Sequence, residues 1–148
     1  MAKAKPEYEE VQEFASIANK LVQKFPDVFY GTDVSKIKCV AVINKERQSK
    51  TKVWEIKGVP MPIRMDCPYA YYLVIFMSDW NEMAEKHRKL LVASALLSIP
   101  TDEDKEGQVN QFDLKDFDIM VRTFGIDYLI KDDVPDLIKE DIKWARAD

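Results

Sequence analysis

The sequence predicts an α+β fold: an N-terminal helix, a small, mostly antiparallel sheet of about three strands, a buried central helix and C-terminal helices. Three observations predict it. Apolar residues recur at helical spacing near the N-terminus, three runs of strand character follow between positions 36 and 77, and Leu90–Ile99 is apolar nearly all round. Helix first, strands next and helices last is the order of segregated layers, not of a parallel βαβ unit.

From Pro6 to Phe25 the residues Val11, Phe14, Ile17, Ala18, Leu21, Val22 and Phe25 mark one face of an amphipathic helix, with Pro6 tolerated in its first turn and Pro26 closing it. A loop is expected at Tyr30-Gly31-Thr32-Asp33. Lys36–Asn44 alternates as a central strand, with Ile37, Cys39, Ala41 and Ile43 on one side and Val40 and Val42 making the other side partly apolar too. The basic run Lys45–Lys52 reads as a solvated hairpin turn leading to a second strand at Val53–Lys57. Gly58-Val59-Pro60-Met61-Pro62 is an edge or a connection, because proline gives a ladder no donor. Tyr69–Met77 is the most strand-like run and belongs mid-sheet.

Ser78 or Asp79 is placed to cap a long helix reaching about Ile99, with Glu82 at capping-box spacing from Asp79. Its second half has no polar face, so it belongs in the domain centre. Pro100 stops it, and Thr101–Gln111 is an acidic loop. Asp113–Phe124 returns to helix through Leu114, Phe117, Met120, Val121 and Phe124, with Gly125 suited to the residue just past its end. Pro135–Ala147 reads as a terminal helix.

The length and a hydrophobic fraction of 47% suit one domain over residues 1–148, with 1–5 expected to be flexible. A net charge of −4 and a pI near 5.1 argue against generic adhesion to nucleic acid or to an anionic membrane. Cys39 and Cys67 lack metal-type spacing and read as free buried thiols in a reducing cytoplasm. The polar N-terminus is not followed by an apolar signal core, and no apolar run reaches the roughly 18 to 20 residues of a membrane span.

Several chemistries fall away on residue supply. His87 is the one histidine, no Gly-x-Ser-x-Gly elbow accompanies it, and four glycines form no phosphate-cradling loop. The acidic residues Asp102, Glu103, Asp104, Glu106, Asp113, Asp116 and Asp118 lack the order of a calcium-binding EF-hand loop, and acidic residues also favour helix starts for their own reasons. His87 itself reads as a solvated helix residue.

An aromatic strand, a buried central helix ending in Ile99-Pro100, an acidic loop and then Asp113-Leu114-Lys115-Asp116-Phe117 form a specific succession. It resembles the phage metallopeptidase family, as do Trp80 before the main helix and Phe124-Gly125-Ile126-Asp127-Tyr128 after the last long one. The resemblance implies a zincin-like fold in which the central helix carries His-Glu-x-x-His and a third ligand precedes the next helix. Two histidines at i and i+4 share a helix face and supply nitrogen ligands, while the intervening Glu serves as base. At the matching positions stand Ser94, Ala95, Ser98 and Phe112. None is a nitrogen ligand or a base, so the resemblance implies a pseudoenzyme with no catalytic residues, no metal and no cofactor.

The function expected on that basis is binding of a host or phage macromolecule, for example inhibition of a host defence or housekeeping enzyme, in the host cytoplasm. Tyr69, Tyr71, Trp80, Tyr128 and Trp144 are the candidate anchors for a protein partner. Two rivals stand beside it: an enzyme with a non-histidine centre, such as a magnesium or calcium site in the acidic loop, and an acidic decoy that mimics nucleic acid.

Overall fold

The computed structural model describes residues 5–29, 31–44, 54–100, 118–125 and 128–145. It is an α+β fold with four strands and four helices among those residues. The expected turn Lys45–Lys52, the acidic loop and Phe112 lie outside them.

The N-terminal helix starts later than its sequence pattern predicts. Tyr8–Glu10 is a strand, β1, and the helix α1 occupies Glu13–Lys24. Of the described residues before Gln12, Val11 alone is buried, so a helix there would have no apolar face to pack. The segment instead pairs antiparallel with β2 (Ile37–Val42), Tyr8 opposite Val42, and Val11 N–H extends the ladder to Cys39 O at 2.9 Å. α1 then buries Phe14, Ile17, Ala18 and Leu21 along one stripe, as expected.

The sheet order is β1-β2-β4-β3, with β3 at Trp54–Gly58 and β4 at Tyr71–Phe76. β2 and β3 are therefore not a hairpin pair. β4 lies between them, parallel to β2 and antiparallel to β3. The reason is apolar content: β4 is apolar on both faces and takes the interior, whereas β3 carries the exposed Glu55 and Lys57 and takes the edge. Two of the three pairings are antiparallel. Ile37, Cys39 and Ala41 share a face with Tyr71, Leu73 and Ile75, and all six are buried in one core with α1 and the central helix.

The long helix expected from Ser78 to Ile99 is two helices, α2 at Met77–Glu82 and α3 at Glu85–Leu97, separated by extended backbone at Met83 and Ala84. Neither Ser78 nor Asp79 caps; Phe76 stands at the N-cap, without a side-chain cap bond. The break is stabilised at its upstream end by Arg88, which donates from Nε to Trp80 O at 2.9 Å, lies over the Trp80 ring at 5.1 Å and pairs with Glu13 at 2.9 Å. The buried centre of α3, Leu90–Leu96, agrees with its all-apolar pattern.

α4 is Asp118–Phe124, and Gly125 follows at φ +89°, its N–H donating to Val121 O at 2.8 Å. Residues 135–145 do not form the expected terminal helix. They are a turn and irregular chain tied to Lys24 of α1 and Lys89 of α3. Asp136 accepts from the amides of Ile138 and Lys139, each at 3.0 Å, and its carbonyl accepts from Glu140 N–H at 3.0 Å, so it caps one turn that the chain does not continue. Among the described residues, no helix is long and apolar enough to cross a membrane.

Candidate functional site

The all-apolar run of α3 passes through the middle of the core, which decides what its few polar atoms can do. Ser94 and Ala95 stand in the last turns of α3 and Ser98 at its C-cap, each at most 1% exposed. Both hydroxyls are occupied. Ser94 Oγ shares a 2.5 Å hydrogen bond with Tyr128 Oη, and Ser98 Oγ donates to Ser94 O at 3.3 Å. Ala95 presents a methyl group. A hydroxyl buried without a partner is costly, so these bonds are what allow serines in such surroundings.

One turn and more upstream, the polar end of α3 grips the C-terminal segment. His87 Nε2 lies 2.6 Å from Lys131 O. A carbonyl can only accept, so the proton of that bond sits on Nε2. Lys86 Nζ donates to Asp132 O, and Lys131 Nζ donates to Phe124 O at 3.3 Å. Lys89, 7% exposed, pairs with Asp136 through both carboxylate oxygens at 2.8 and 2.6 Å. From α1, Lys24 Nζ donates to the carbonyls of Leu137 at 3.0 Å and Ile138 at 2.9 Å, and also to Glu140 O. His87 is thus half-buried and bonded, not the solvated residue that its polar neighbours in sequence predict.

Electrostatics favour the clamp. Burial pushes the Asp136 carboxyl up, but the hydrogen bonds from Lys89, Lys139 and Ile138 and the Lys89 charge outweigh burial and hold it below its ordinary value. Lys89 was the legible half of this pair, because a lysine opening the run Leu90-Leu91-Val92 must find an anion. Asp136 gave no comparable signal, as it lies 47 residues away.

The aromatic residues expected to anchor a partner divide in two. Tyr71, Trp80 and Tyr128 are 2%, 4% and 2% exposed and are core residues, which corrects their expected role. Their ring area is used in packing: Tyr71 on the core face of β4, Trp80 under Arg88 and Tyr128 beside Phe124 at 6.3 Å. Trp144 is half-buried and meets Phe25, Phe29 and Phe124 edge-on at 5.4, 6.0 and 5.3 Å, so it pins the C-terminal segment inward. Tyr69 is half-buried, edge-on to Tyr72 at 6.0 Å with Lys38 over its ring at 5.5 Å. Three of the six large exposed apolar side chains among the described residues, Met61, Ile63 and Met65, 61%, 63% and 74% exposed, crowd the connection between β3 and β4. Their spacing on a proline-rich connection was visible in the sequence, but exposure was not.

The succession of elements and the buried α3 have a match among known families: the family model described as Putative phage metallopeptidase matches residues 6–140. The chain belongs to this family. No curated protein and no solved structure matches it significantly.

The family name implies a metal, and the described residues offer no group that fits one. Across the described part of this phage metallopeptidase-family chain, no three His, Cys, Asp or Glu side chains are grouped so as to hold an ion. At the three described positions where the resemblance places ligands and base, two neutral hydroxyls are consumed by internal bonds and the third side chain is a methyl group.

Proposed function

We propose that this protein is a non-catalytic member of the phage metallopeptidase family, which acts by binding a macromolecule of the host or of the phage. The observation that carries the reading is the internal engagement of Ser94 and Ser98 beside Ala95 on the buried helix α3. Hydrolysis of a peptide by a zinc centre needs nitrogen or carboxylate ligands, an open coordination position and a base. The two serine hydroxyls at the corresponding positions already have partners, which supports this reading. The single histidine of the chain is committed to Lys131 O.

The binding half of the proposal draws support from the exposed Met61, Ile63 and Met65. Methionine is flexible and polarisable, so a methionine-rich apolar surface adapts to a partner at little strain. Inhibition of a host defence or housekeeping enzyme is the activity we assign to such binding.

Two measurements test the halves separately. Metal analysis of protein expressed in zinc-supplemented medium, together with a peptidase assay on an unfolded protein substrate, should give no stoichiometric zinc and no cleavage; zinc held through α3 residues contradicts the proposal. For binding, a host protein retained from bacterial lysate should be released when Met61, Ile63 and Met65 are all changed to Ser. Retention unchanged by that triple substitution removes this surface from the account.

A further inference from the structure

Among the described residues the sheet ends at β3 on one side and at β1 on the other. Val59 N–H donates to Ala70 O at 2.7 Å, and the antiparallel register runs Lys57 opposite Tyr72 and Glu55 opposite Val74. Alternation along the strand therefore turns the N–H and C=O of Ile56 and Gly58 toward the outer edge. Such an edge is a template for another strand.

The side chains of β3 say which strand fits. Trp54-Glu55-Ile56-Lys57-Gly58 is self-complementary when read antiparallel about Ile56. A second copy in that register sets Ile56 against itself on the two-fold axis, Glu55 against Lys57 on both sides, and Trp54 against Gly58 at both ends. Glu55 and Lys57 are exposed on one face, whereas Ile56 and Trp54 pack against the core on the other. The pairing places opposite charges in contact on the open face and extends the apolar core across the axis. Glycine opposite tryptophan leaves room for the ring. The other edge lacks this property: β1 is Tyr8-Glu9-Glu10, and self-pairing about Glu9 opposes like charges.

We propose that β3 is a homodimer interface, in which two copies of this chain join their sheets antiparallel about Ile56. The interface is isologous, so each charge contact occurs twice. The inference is independent of the proposed function.

Sedimentation velocity of the full chain across micromolar concentrations tests it. The wild type should be a dimer in reversible exchange. Glu55→Lys alone and Lys57→Glu alone each put like charges in contact twice and should weaken self-association roughly tenfold or more. Mixing the two variants should restore a heterodimer, because each lysine then faces a glutamate. A wild type that stays monomeric throughout overturns the proposal, as does a dimer indifferent to both substitutions. With both variants melting like the wild type, a mixture that stays monomeric also overturns it. Should either variant lose its fold, the reversed chain carrying Glu55→Lys with Lys57→Glu decides: a retained dimer supports the register, a monomer refutes it.

Discussion

Ser94 and Tyr128 meet hydroxyl to hydroxyl at 2.5 Å, with Ser94 0% and Tyr128 2% exposed. The bond ties the centre of α3 to the chain that follows α4, 34 residues later. Ser94→Ala and Tyr128→Phe each delete it while preserving the surrounding shape, and each should cost about 1 kcal/mol in urea unfolding. Because the two hydroxyls share this bond, the double substitution should cost less than the sum of the singles. Additive losses would mean that the hydroxyls act separately.

The Lys89–Asp136 pair makes the C-terminal segment sensitive to acid. The Asp136 carboxyl is held below its ordinary value of 3.8 in the folded chain. A depressed carboxyl contributes stability that is complete above the unfolded value and disappears as pH falls through the lower folded one. The acid limb of the stability profile should therefore include a loss that begins near pH 4 and continues below it. Asp136→Asn should remove that part of the limb. Asp136→Ala leaves Lys89 buried without its anion and should cost about 3 kcal/mol at neutral pH. Chemical unfolding across pH values checks both.

Lys24 is the second tie. Its ammonium serves the carbonyls of Leu137, Ile138 and Glu140 and lies 5.3 Å from the Phe25 ring centroid. Lys24→Met keeps the aliphatic stem and removes the donor, so stability should fall by about 2 kcal/mol. Amide hydrogen exchange should quicken across residues 137–145 and remain unchanged in α3. Uniform quickening throughout would show that the segment and the core open together.

Fold and site were legible to different depths. The buried centre of α3 was readable because Leu90–Ile99 offers no polar face, and the interior place of β4 because Tyr71–Phe76 is apolar on both sides. β1 was not readable: three exposed residues show no alternation, and its pairing is decided by what β2 offers. The break at Met83 and Ala84 contains neither proline nor glycine and depends on Arg88 reaching Trp80 O across eight residues. The terminal segment carried a helical pattern, but its carbonyls at Leu137 and Ile138 and the Asp136 carboxylate are taken up by long-range bonds to Lys24 and Lys89. For the site, the lack of ligands on α3 could be read directly, whereas the partner of Ser94 could not. The aromatic residues that pattern alone offered as anchors are mostly the ones that the core consumes.

The two thiols should differ in reactivity. Burial pushes the Cys39 thiol up to about 12, and it sits 3% exposed in the interior strand β2. Cys67 is half-buried, 3.7 Å from Tyr72 Oη. A thiol reagent at pH 8 should modify Cys67 alone in the native protein and both residues in denaturant, as counted by mass spectrometry. Native modification of Cys39 would mean that the sheet opens readily at β2.

On the proposed reading the buried face of α3 is closed to a catalytic metal. Thermal unfolding of EDTA-treated protein, titrated with zinc, tests it most directly, because an ion bound only by the folded state raises the melting temperature. The melting temperature should be indifferent to zinc, in the wild type and in Ser94→Ala alike. A rise that saturates at one zinc per chain and is lost in Ser94→Ala would contradict it.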